Sequence, residues 1–203
     1  MIQLFIMDSR LFVLLLASIL MACSDPATST AEAPTQKAEN AIEDSGSIAN
    51  PTSSGNYMVV KEEDESFLLG SLPADLFEGN QNFPWYQDAH ADYKPNVSTI
   101  EKISVSLNDA KIKLIMGTWC EDSQTHVPAL MKILEVSGYD NSNLEIIAVN
   151  RDKNEPQSLL EGLSVDLVPT IILYKEDKEL GRITENPANA TLEEDLADIL
   201  AKE

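Results

Sequence analysis

Trp119-Cys120-Glu121-Asp122-Ser123 is the most informative segment of this chain of 203 residues. It follows a continuous apolar run over residues 112–116, and a run of that length predicts a buried β-strand. After it, apolar side chains recur at helical spacing over residues 120–137, and Gly138 stands where a helix C-cap is expected. The pattern therefore predicts a strand, a short loop and a helix that begins at Cys120.

A cysteine at the start of a helix is a candidate nucleophile. The free N–H groups and the dipole of the helix N-terminus stabilise the thiolate, which is the reactive form of the side chain. Glu121 and Asp122 oppose part of that stabilisation with their negative charges. Ser123 occupies the position of the second thiol in a Cys-x-x-Cys redox pair, so the motif holds one thiol. The alternative is that Cys120 is inert and buried, as many cysteines are.

Further elements follow from the same kind of pattern. Helices are predicted at residues 99–107, 120–137, 156–163 and from Thr191 onward, and strands at residues 112–116, 144–149, 170–174 and 180–184. Ser98 with Glu101, and Thr191 with Glu194, have the spacing of capping boxes. Residues 72–95 are expected to form a short helix and a packed aromatic loop. The order predicts an α/β fold: a mixed central sheet of about four strands, flanked by helices on both faces.

Three features together give a family resemblance. They are the Trp119-Cys120-x-x-Ser123 motif, Pro128 inside the following helix, and Val168-Pro169-Thr170 before an apolar strand. In this combination, over residues 112–202, the chain resembles the thioredoxin superfamily, and more narrowly exported bacterial thioredoxin-like lipoproteins with a single-thiol site. The resemblance implies a thioredoxin-like fold in which Pro169 is a cis proline whose loop packs against the Cys120 sulfur. It also implies that the backbone of Val168 binds an extended substrate segment.

The chain departs from the family pattern at two positions. Ser123 replaces the resolving thiol, and Leu114 stands where many thioredoxins have a buried acid that helps to deprotonate that thiol. The two departures agree with each other, because a missing thiol needs no proton acceptor. Neither removes the first chemical step, which is attack by Cys120.

The resemblance then implies a thiol–disulfide oxidoreductase with a monothiol mechanism. Cys120 is the catalytic nucleophile, Trp119 and Ser123 form its environment, and Val168 and Pro169 bind the substrate. An external thiol must release the mixed disulfide, because a serine hydroxyl does not attack sulfur at neutral pH. Reduction and isomerisation both remain open. The alternative from a different class is a non-catalytic binding module that holds a partner protein in the cell envelope.

The first part of the chain predicts export and a lipid anchor. Residues 11–22 are apolar but shorter than the roughly 20 residues that a membrane-spanning helix needs, and they end at Ala22-Cys23. We expect residues 1–22 to be a lipoprotein signal peptide, with Cys23 lipidated in a bacterial cell envelope and the domain in the periplasm. An ordinary secretory signal or membrane anchor is the alternative. Polar residues 23–66 are expected to be a flexible linker, and residues 67–203 the thioredoxin-like domain.

The composition of the chain limits the classes of partner that we expect it to bind. The formal net charge is −20, which disfavours nucleic-acid binding. The thiol chemistry that the resemblance implies makes protein or small thiols and disulfides the expected partners, and lipid on Cys23 would attach the chain to the membrane. The chain has only two cysteines, so lipidation of Cys23 would leave Cys120 as the sole free thiol. No glycine-rich phosphate loop or zinc-binding cysteine set occurs, so we expect no cofactor and no metal. His126 is expected to be an exposed histidine and not a catalytic base.

Overall fold

The computed structural model describes residues 55–62 and 64–202. The strands are β1 (Asn56–Glu62), β2 (Glu65–Leu72), β3 (Lys111–Met116), β4 (Leu144–Ala148), β5 (Thr170–Lys175) and β6 (Lys178–Thr184). The α-helices are α1 (Pro84–Asp92), α2 (Val97–Asp109), α3 (Glu121–Ser137), α4 (Gln157–Leu160) and α5 (Leu192–Leu200). The expectations for the signal peptide, for Cys23 and for most of the linker concern residues outside these ranges.

All six strands form one mixed sheet in the order β1-β2-β4-β3-β5-β6. β3 and β4 are parallel, and every other neighbouring pair is antiparallel. The mixed α/β class is therefore confirmed, but the expected number of about four strands is wrong. The two additional strands are the hairpin β1–β2, which the sequence conceals because its turn carries a run of charged side chains and its outer strand is largely exposed.

The hairpin also extends strand structure into residues that the sequence assigned to the linker. β1 begins at Asn56, before the expected domain start at Phe67. Gly70 explains part of the hairpin's close packing, because a Cβ at this residue would lie 2.4 Å from the carbonyl oxygen of Asn56. The backbone of Gly70 also has a positive φ of 125°, which side chains other than glycine rarely adopt.

The sheet separates a large core from a small one. Alternate residues of a strand point to opposite faces, so Ile112, Leu114 and Met116 of β3 pack in the large core, whereas Ile115 packs in the small one. Helices α1, α2, α3 and α5 contribute to the large core, and the single turn of α4 with the loop after it covers the small one. Helices thus lie on both faces, but very unequally.

Two helix caps differ from the sequence expectation. α2 begins two residues before Thr99 because Asn96, not Ser98, caps it: the Asn96 side chain accepts a hydrogen bond from the Thr99 amide. Thr191 is the N-cap residue of α5, but its side chain forms no capping bond, and its buried hydroxyl has no partner. The second capping box is therefore not formed.

A buried carboxylate joins α5 to the segment between α1 and α2. Glu193 is 1% exposed and accepts hydrogen bonds from the Tyr93 hydroxyl at 2.7 Å and from the Asn96 amide at 2.6 Å. Burial, and then the bond to Glu193, raises the pKa of Tyr93 well above its usual range. This contact ties the N-terminal cap of α2 to the last helix of the chain.

The segment at residues 72–95 forms turns and α1, around an aromatic cluster. Phe77 lies at its centre, with ring centroids of Phe83, Trp85 and Tyr86 at 5.1, 5.4 and 5.3 Å. Such edge-to-face and stacked pairs add to the energy of area burial. The expectation of a short helix with a packed aromatic loop is confirmed, and the cluster packs as part of the large core.

Candidate functional site

Cys120 lies at the start of α3, where the loop after β3 ends. The loop closes through a hydrogen bond from the Cys120 amide to the Gly117 carbonyl at 3.0 Å. Cys120 is the N-cap residue of α3 and has extended backbone angles, and its carbonyl accepts the first helical bond from Gln124. Its thiol is free and the residue is half-buried. The local sequence thus places one partly accessible sulfur at a helix N-terminus.

The loop before β5 faces this sulfur. The Sγ of Cys120 donates to the carbonyl oxygen of Val168 at 3.2 Å, and the Val168–Pro169 peptide is cis. Glu185 holds the loop from the other side, with its amide 2.7 Å from the Pro169 carbonyl. The structure therefore brings together Cys120, Val168 and Pro169, which lie far apart in the sequence.

A second anchor fixes the same loop to the sheet. The Nη1 of Arg182, on β6, donates to the carbonyl oxygen of Leu163 at 2.9 Å, while its Nε and Nη2 donate to the two carboxylate oxygens of Glu179. The hydrogen bonds from Arg182 lower the pKa of Glu179, so the pair stays ionised over the neutral range. The loop that presents Val168 is thus tied to β6 before it reaches the sulfur.

Ser123 lies behind the sulfur and is fully buried. Its Oγ accepts a hydrogen bond from the Gly117 amide at 3.2 Å, and among the described residues this is its side-chain hydrogen bond. The side-chain oxygen of Ser123 is directed to the turn before the helix. Ser123 thus shapes the loop that carries Cys120. Leu114, also fully buried, packs in the large core.

Trp119 covers the side of the site next to β4. Its indole Nε1 donates to the carbonyl oxygen of Val149 at 2.9 Å, and the residue packs with Cys120 against the small core. Gly117 makes room for the ring, because a Cβ at Gly117 would lie 2.5 Å from Trp119. The requirement for glycine at this turn therefore comes from the tryptophan two residues later.

Arg151 is a site residue that sequence reasoning missed. Its guanidinium carbon lies 5.2 Å from the centre of the Trp119 ring, within the range of a cation–π contact. The same guanidinium pairs with Glu65, and with Glu62 at 3.8 Å. Arg151 thus joins the tip of the β1–β2 hairpin to the indole beside the thiol.

Thr118 provides a second link between the hairpin and the site, and it was also missed. It is buried, and its Oγ1 accepts a hydrogen bond from the Leu68 amide of β2 at 3.0 Å. The sequence contains no signal for either link, because the partners of Thr118 and Arg151 belong to a hairpin that was not predicted. The N-terminal hairpin is therefore part of the frame around Cys120.

The polar groups around the opening are mostly acidic. Glu121 is exposed and Asp122 half-buried in the first turn of α3. His126 lies one turn further along, and its Nε2 is 3.0 Å from the side-chain oxygen of Asn186. His126 therefore has a polar partner away from the sulfur. The described residues contain no group of three or more histidine, cysteine, aspartate or glutamate side chains that could hold a metal ion.

Comparisons with known proteins give no family assignment. No protein-family model matches the chain, and no curated protein matches it. Among solved structures, an HIV epitope scaffold matches with TM-score 0.41 and 18% identity, over 62% of this chain and 85% of the scaffold. A Pseudomonas aeruginosa protein of unknown function matches with TM-score 0.40 and 18% identity, over 62% of this chain and 84% of that protein.

A thioredoxin is also among the structural neighbours. Oxidised mitochondrial thioredoxin 3 of Saccharomyces cerevisiae matches with TM-score 0.30 and 20% identity, over 49% of this chain and 90% of the thioredoxin. At such scores none of the three neighbours establishes a family for the chain. In the described part of the chain, no helix is long and apolar enough to cross a membrane.

Proposed function

We propose that the chain has a thioredoxin-like fold and that Cys120 performs thiol–disulfide exchange by a monothiol mechanism. The observation that carries the proposal is the position of the Cys120 sulfur, in a half-buried residue at the start of α3 and 3.2 Å from the Val168 carbonyl oxygen. A sulfur placed there lies at a helix N-terminus and beside a backbone edge along which an extended disulfide substrate can lie.

The arrangement of the central elements supports the fold part of the proposal. Strands β4, β3, β5 and β6 lie side by side in that order, with one parallel pair and two antiparallel pairs. Helix α3 follows β3 directly, and α5 follows β6. These are the elements that the resemblance to the thioredoxin superfamily implies, and the β1–β2 hairpin is an addition at one edge.

The reaction needs two exchange steps. In the first, the Cys120 thiolate attacks one sulfur of a substrate disulfide, an S–S bond forms to Cys120, and the other substrate sulfur leaves as a thiolate that takes up a proton. In the second, an external thiolate attacks the substrate sulfur of that mixed disulfide and regenerates the Cys120 thiolate. The external thiol ends as a disulfide with the retained substrate sulfur, so one cycle releases one substrate thiol. Reduction of both substrate sulfurs consumes a second external thiol, from a small molecule or a protein.

The loop before β5 supplies the docking surface. The Val168 carbonyl oxygen points at the sulfur, and Pro169 continues the loop into β5. Leu167, one residue earlier, is 43% exposed and offers an apolar contact beside the backbone edge. We infer that Val168 and Pro169 align the substrate segment while Trp119 covers the other side of the reacting sulfurs.

The cellular setting is part of the same proposal. Residues 11–22 followed by Cys23 support export and lipid attachment, which would place the domain on a membrane of the bacterial envelope, facing the periplasm. Protein and small-molecule disulfides form in such a compartment. A single-thiol protein anchored there would contribute to redox homeostasis of the cell envelope.

The test is the reaction of the full chain with the chromogenic disulfide dithiobis(nitrobenzoate). The natural chain should release one equivalent of thionitrobenzoate and retain the second as a mixed disulfide until an external thiol is added. The matched variant Ser123→Cys should release both equivalents without the external thiol, because residues 120 and 123 lie three apart at the start of one helix. Cys120→Ser gives the background from Cys23.

The same experiment also distinguishes thiol–disulfide exchange from the alternative, a non-catalytic binding module. A binding module that does not use its thiol would react no faster than the Cys120→Ser background, and it would retain a partner protein that Cys120→Ser retains equally well. Release of both equivalents by the natural chain would contradict the monothiol mechanism, because Cys120 is the only cysteine among the residues that the structure describes.

A further inference from the structure

A cleft lies between α1 and the second half of α3, away from the thiol. Its volume is about 430 Å³, which is within the range of small-molecule sites. Its walls come mainly from the turn before α1, from α1 and from α3, and every residue that lines it belongs to the described part of the chain. Glu135, at its rim, lies about 22 Å from Cys120 along the helix axis. The cleft is therefore separate from the site around the sulfur.

Tyr86 brings an unpaired hydroxyl to this cleft. It lines the cleft and is 2% exposed, yet none of the hydrogen bonds among the described residues involves its hydroxyl. Buried polar side chains almost always have a hydrogen-bond partner, so an unpaired one in the wall of a cleft is a candidate contact for a ligand. The ring of Tyr86 is stacked against Phe77 and His90, with centroids 5.3 and 5.4 Å away. Tyr86 thus offers its hydroxyl to the cleft and not the face of its ring.

Two carboxylates, of Glu78 and Glu135, give the cleft a negative potential. Burial raises the pKa of Tyr86 well above its usual range, and the negative charges of Glu78 and Glu135 add to that rise, so both carboxylates act on the hydroxyl. Lys132 at 2.9 Å and His90 at 3.3 Å both contact Oε2 of Glu135, and no hydrogen bond among the described residues uses its Oε1. No described basic side chain pairs with Glu78. The cleft therefore favours a cation and disfavours an anion.

We propose that this cleft binds a primary ammonium ion that carries a short apolar group. The ammonium N–H groups donate to the Tyr86 hydroxyl oxygen and to the carboxylates of Glu78 and Glu135. The buried side chains of Met131 and Leu134 line the same cleft and pack against the apolar group. The ligand needs N–H donors as well as charge, because Tyr86 presents an acceptor oxygen and no ring face for a cation–π contact.

Calorimetric titration of the full chain in an uncharged detergent, with three probes that share one ring, tests the proposal. Benzylammonium has both the charge and the N–H donors, benzyltrimethylammonium has the charge alone, and benzyl alcohol has a donor without the charge. We expect benzylammonium to bind once per chain and at least about 10-fold more tightly than either other probe, because only benzylammonium forms charge-assisted hydrogen bonds. No binding of benzylammonium, or binding of comparable strength by either other probe, would overturn the proposal.

The variant Tyr86→Phe removes the hydroxyl and keeps the ring. We expect it to weaken the binding of benzylammonium by about 10-fold, because the ammonium loses a hydrogen-bond acceptor inside the cleft. An affinity equal to that of the natural chain would show that the Tyr86 hydroxyl does not contact the ligand, and would contradict the proposal.

A second variant tests the charge without touching a buried residue. Glu78 is exposed, so Glu78→Gln should leave the fold intact and weaken the binding of benzylammonium by about 3-fold. The matched control Glu101→Gln removes the same charge from an exposed position of α2 and should leave the affinity unchanged. An unchanged affinity of Glu78→Gln, or an equal loss in both variants, would overturn the proposal, since the net charge of the chain would then account for the binding.

Discussion

Two polar junctions hold loops of this molecule together, and they differ in the solvent exposure of the residue that forms the bond. At the carboxylate junction, formed by Tyr93, Asn96 and Glu193, a buried carboxylate accepts two short hydrogen bonds and faces no solvent. At the thiol junction, formed by Cys120 and Val168, the sulfur of a half-buried residue donates one hydrogen bond at 3.2 Å. The carboxylate of the first junction is closed off from solvent, whereas the cysteine of the second junction is partly exposed. The difference separates a structural contact from a candidate for chemistry.

The largest effect should come from breaking the carboxylate junction. Glu193→Ala leaves the Tyr93 hydroxyl and the Asn96 amide without their acceptor, and we expect a loss of about 2–4 kcal/mol in the free energy of unfolding. Urea unfolding measures the loss, and the neighbouring half-buried Glu194→Ala serves as the control, with a change within about 0.5 kcal/mol. The alkylation rate of Cys120 in the folded variant should not change. A changed rate would mean that the two junctions are coupled.

The pH dependence of the carboxylate junction gives a second test. The folded pKa of Tyr93 is raised, so above about pH 10 the unfolded chain loses this proton while the folded chain keeps it. The stabilisation is therefore complete below the unfolded pKa and is lost progressively as the pH rises from there toward the higher folded pKa. At pH 7 we expect the natural chain to be about 1 kcal/mol more stable than Tyr93→Phe.

That advantage should stay constant up to about pH 9 and then shrink as the pH rises to and beyond about 10, because only the natural chain has the phenol at position 93. Urea midpoints of the two chains, measured side by side, give the difference directly, since Tyr86 and Tyr139 are common to both. A difference that stays constant over this range would show that Tyr93 ionises equally in the folded and unfolded chains.

The smallest effect should come from the contact between Arg151 and Trp119, beside the thiol junction. Arg151→Gln removes the cation over Trp119 and its pairs with Glu62 and Glu65. A cation–π contact at an exposed site contributes about 0.5–1 kcal/mol, so a loosened indole should raise the alkylation rate of Cys120 by about 2–5-fold. The free energy of unfolding should fall by less than about 1 kcal/mol, because exposed ion pairs contribute little.

The exposed Lys178→Gln, on the opposite edge of the sheet, removes the same charge without touching Trp119 and should leave the rate unchanged. If both variants raise the rate equally, net charge and not the position of Trp119 controls access to the sulfur.

The sequence predicted those parts of the molecule whose signals are local. The strand–loop–helix around Cys120, the Gly138 cap and the closing β5–β6 hairpin follow from hydrophobic spacing and turn residues, and the structure has all three. The β1–β2 hairpin was missed because Lys61, Glu62 and Glu65 make its turn look like linker. An edge strand buries too little apolar surface to show the alternation of apolar and polar residues that is typical of a core strand.

Contacts between residues that lie far apart in the chain could not be predicted from the sequence either. Arg151 lies between two polar residues after β4, and nothing near it in the sequence indicates that Glu62 and Glu65 bind it. The expected capping bond of Thr191 was wrong for a similar reason, because tertiary packing buries its hydroxyl without a partner. The local pattern could identify Cys120 as a candidate, and the family resemblance could identify Val168 and Pro169, but only the fold places the sulfur against the Val168 carbonyl.

The most direct test of the central claim is the alkylation rate of Cys120 by iodoacetamide at pH 7, with free glutathione as the reference. The full chain is used, and Cys120→Ser corrects for Cys23. If Cys120 is a reactive thiol at the helix N-terminus, it should react at least as fast as glutathione. A rate far below that of glutathione would contradict the account and leave the chain as a binding module with an inert cysteine.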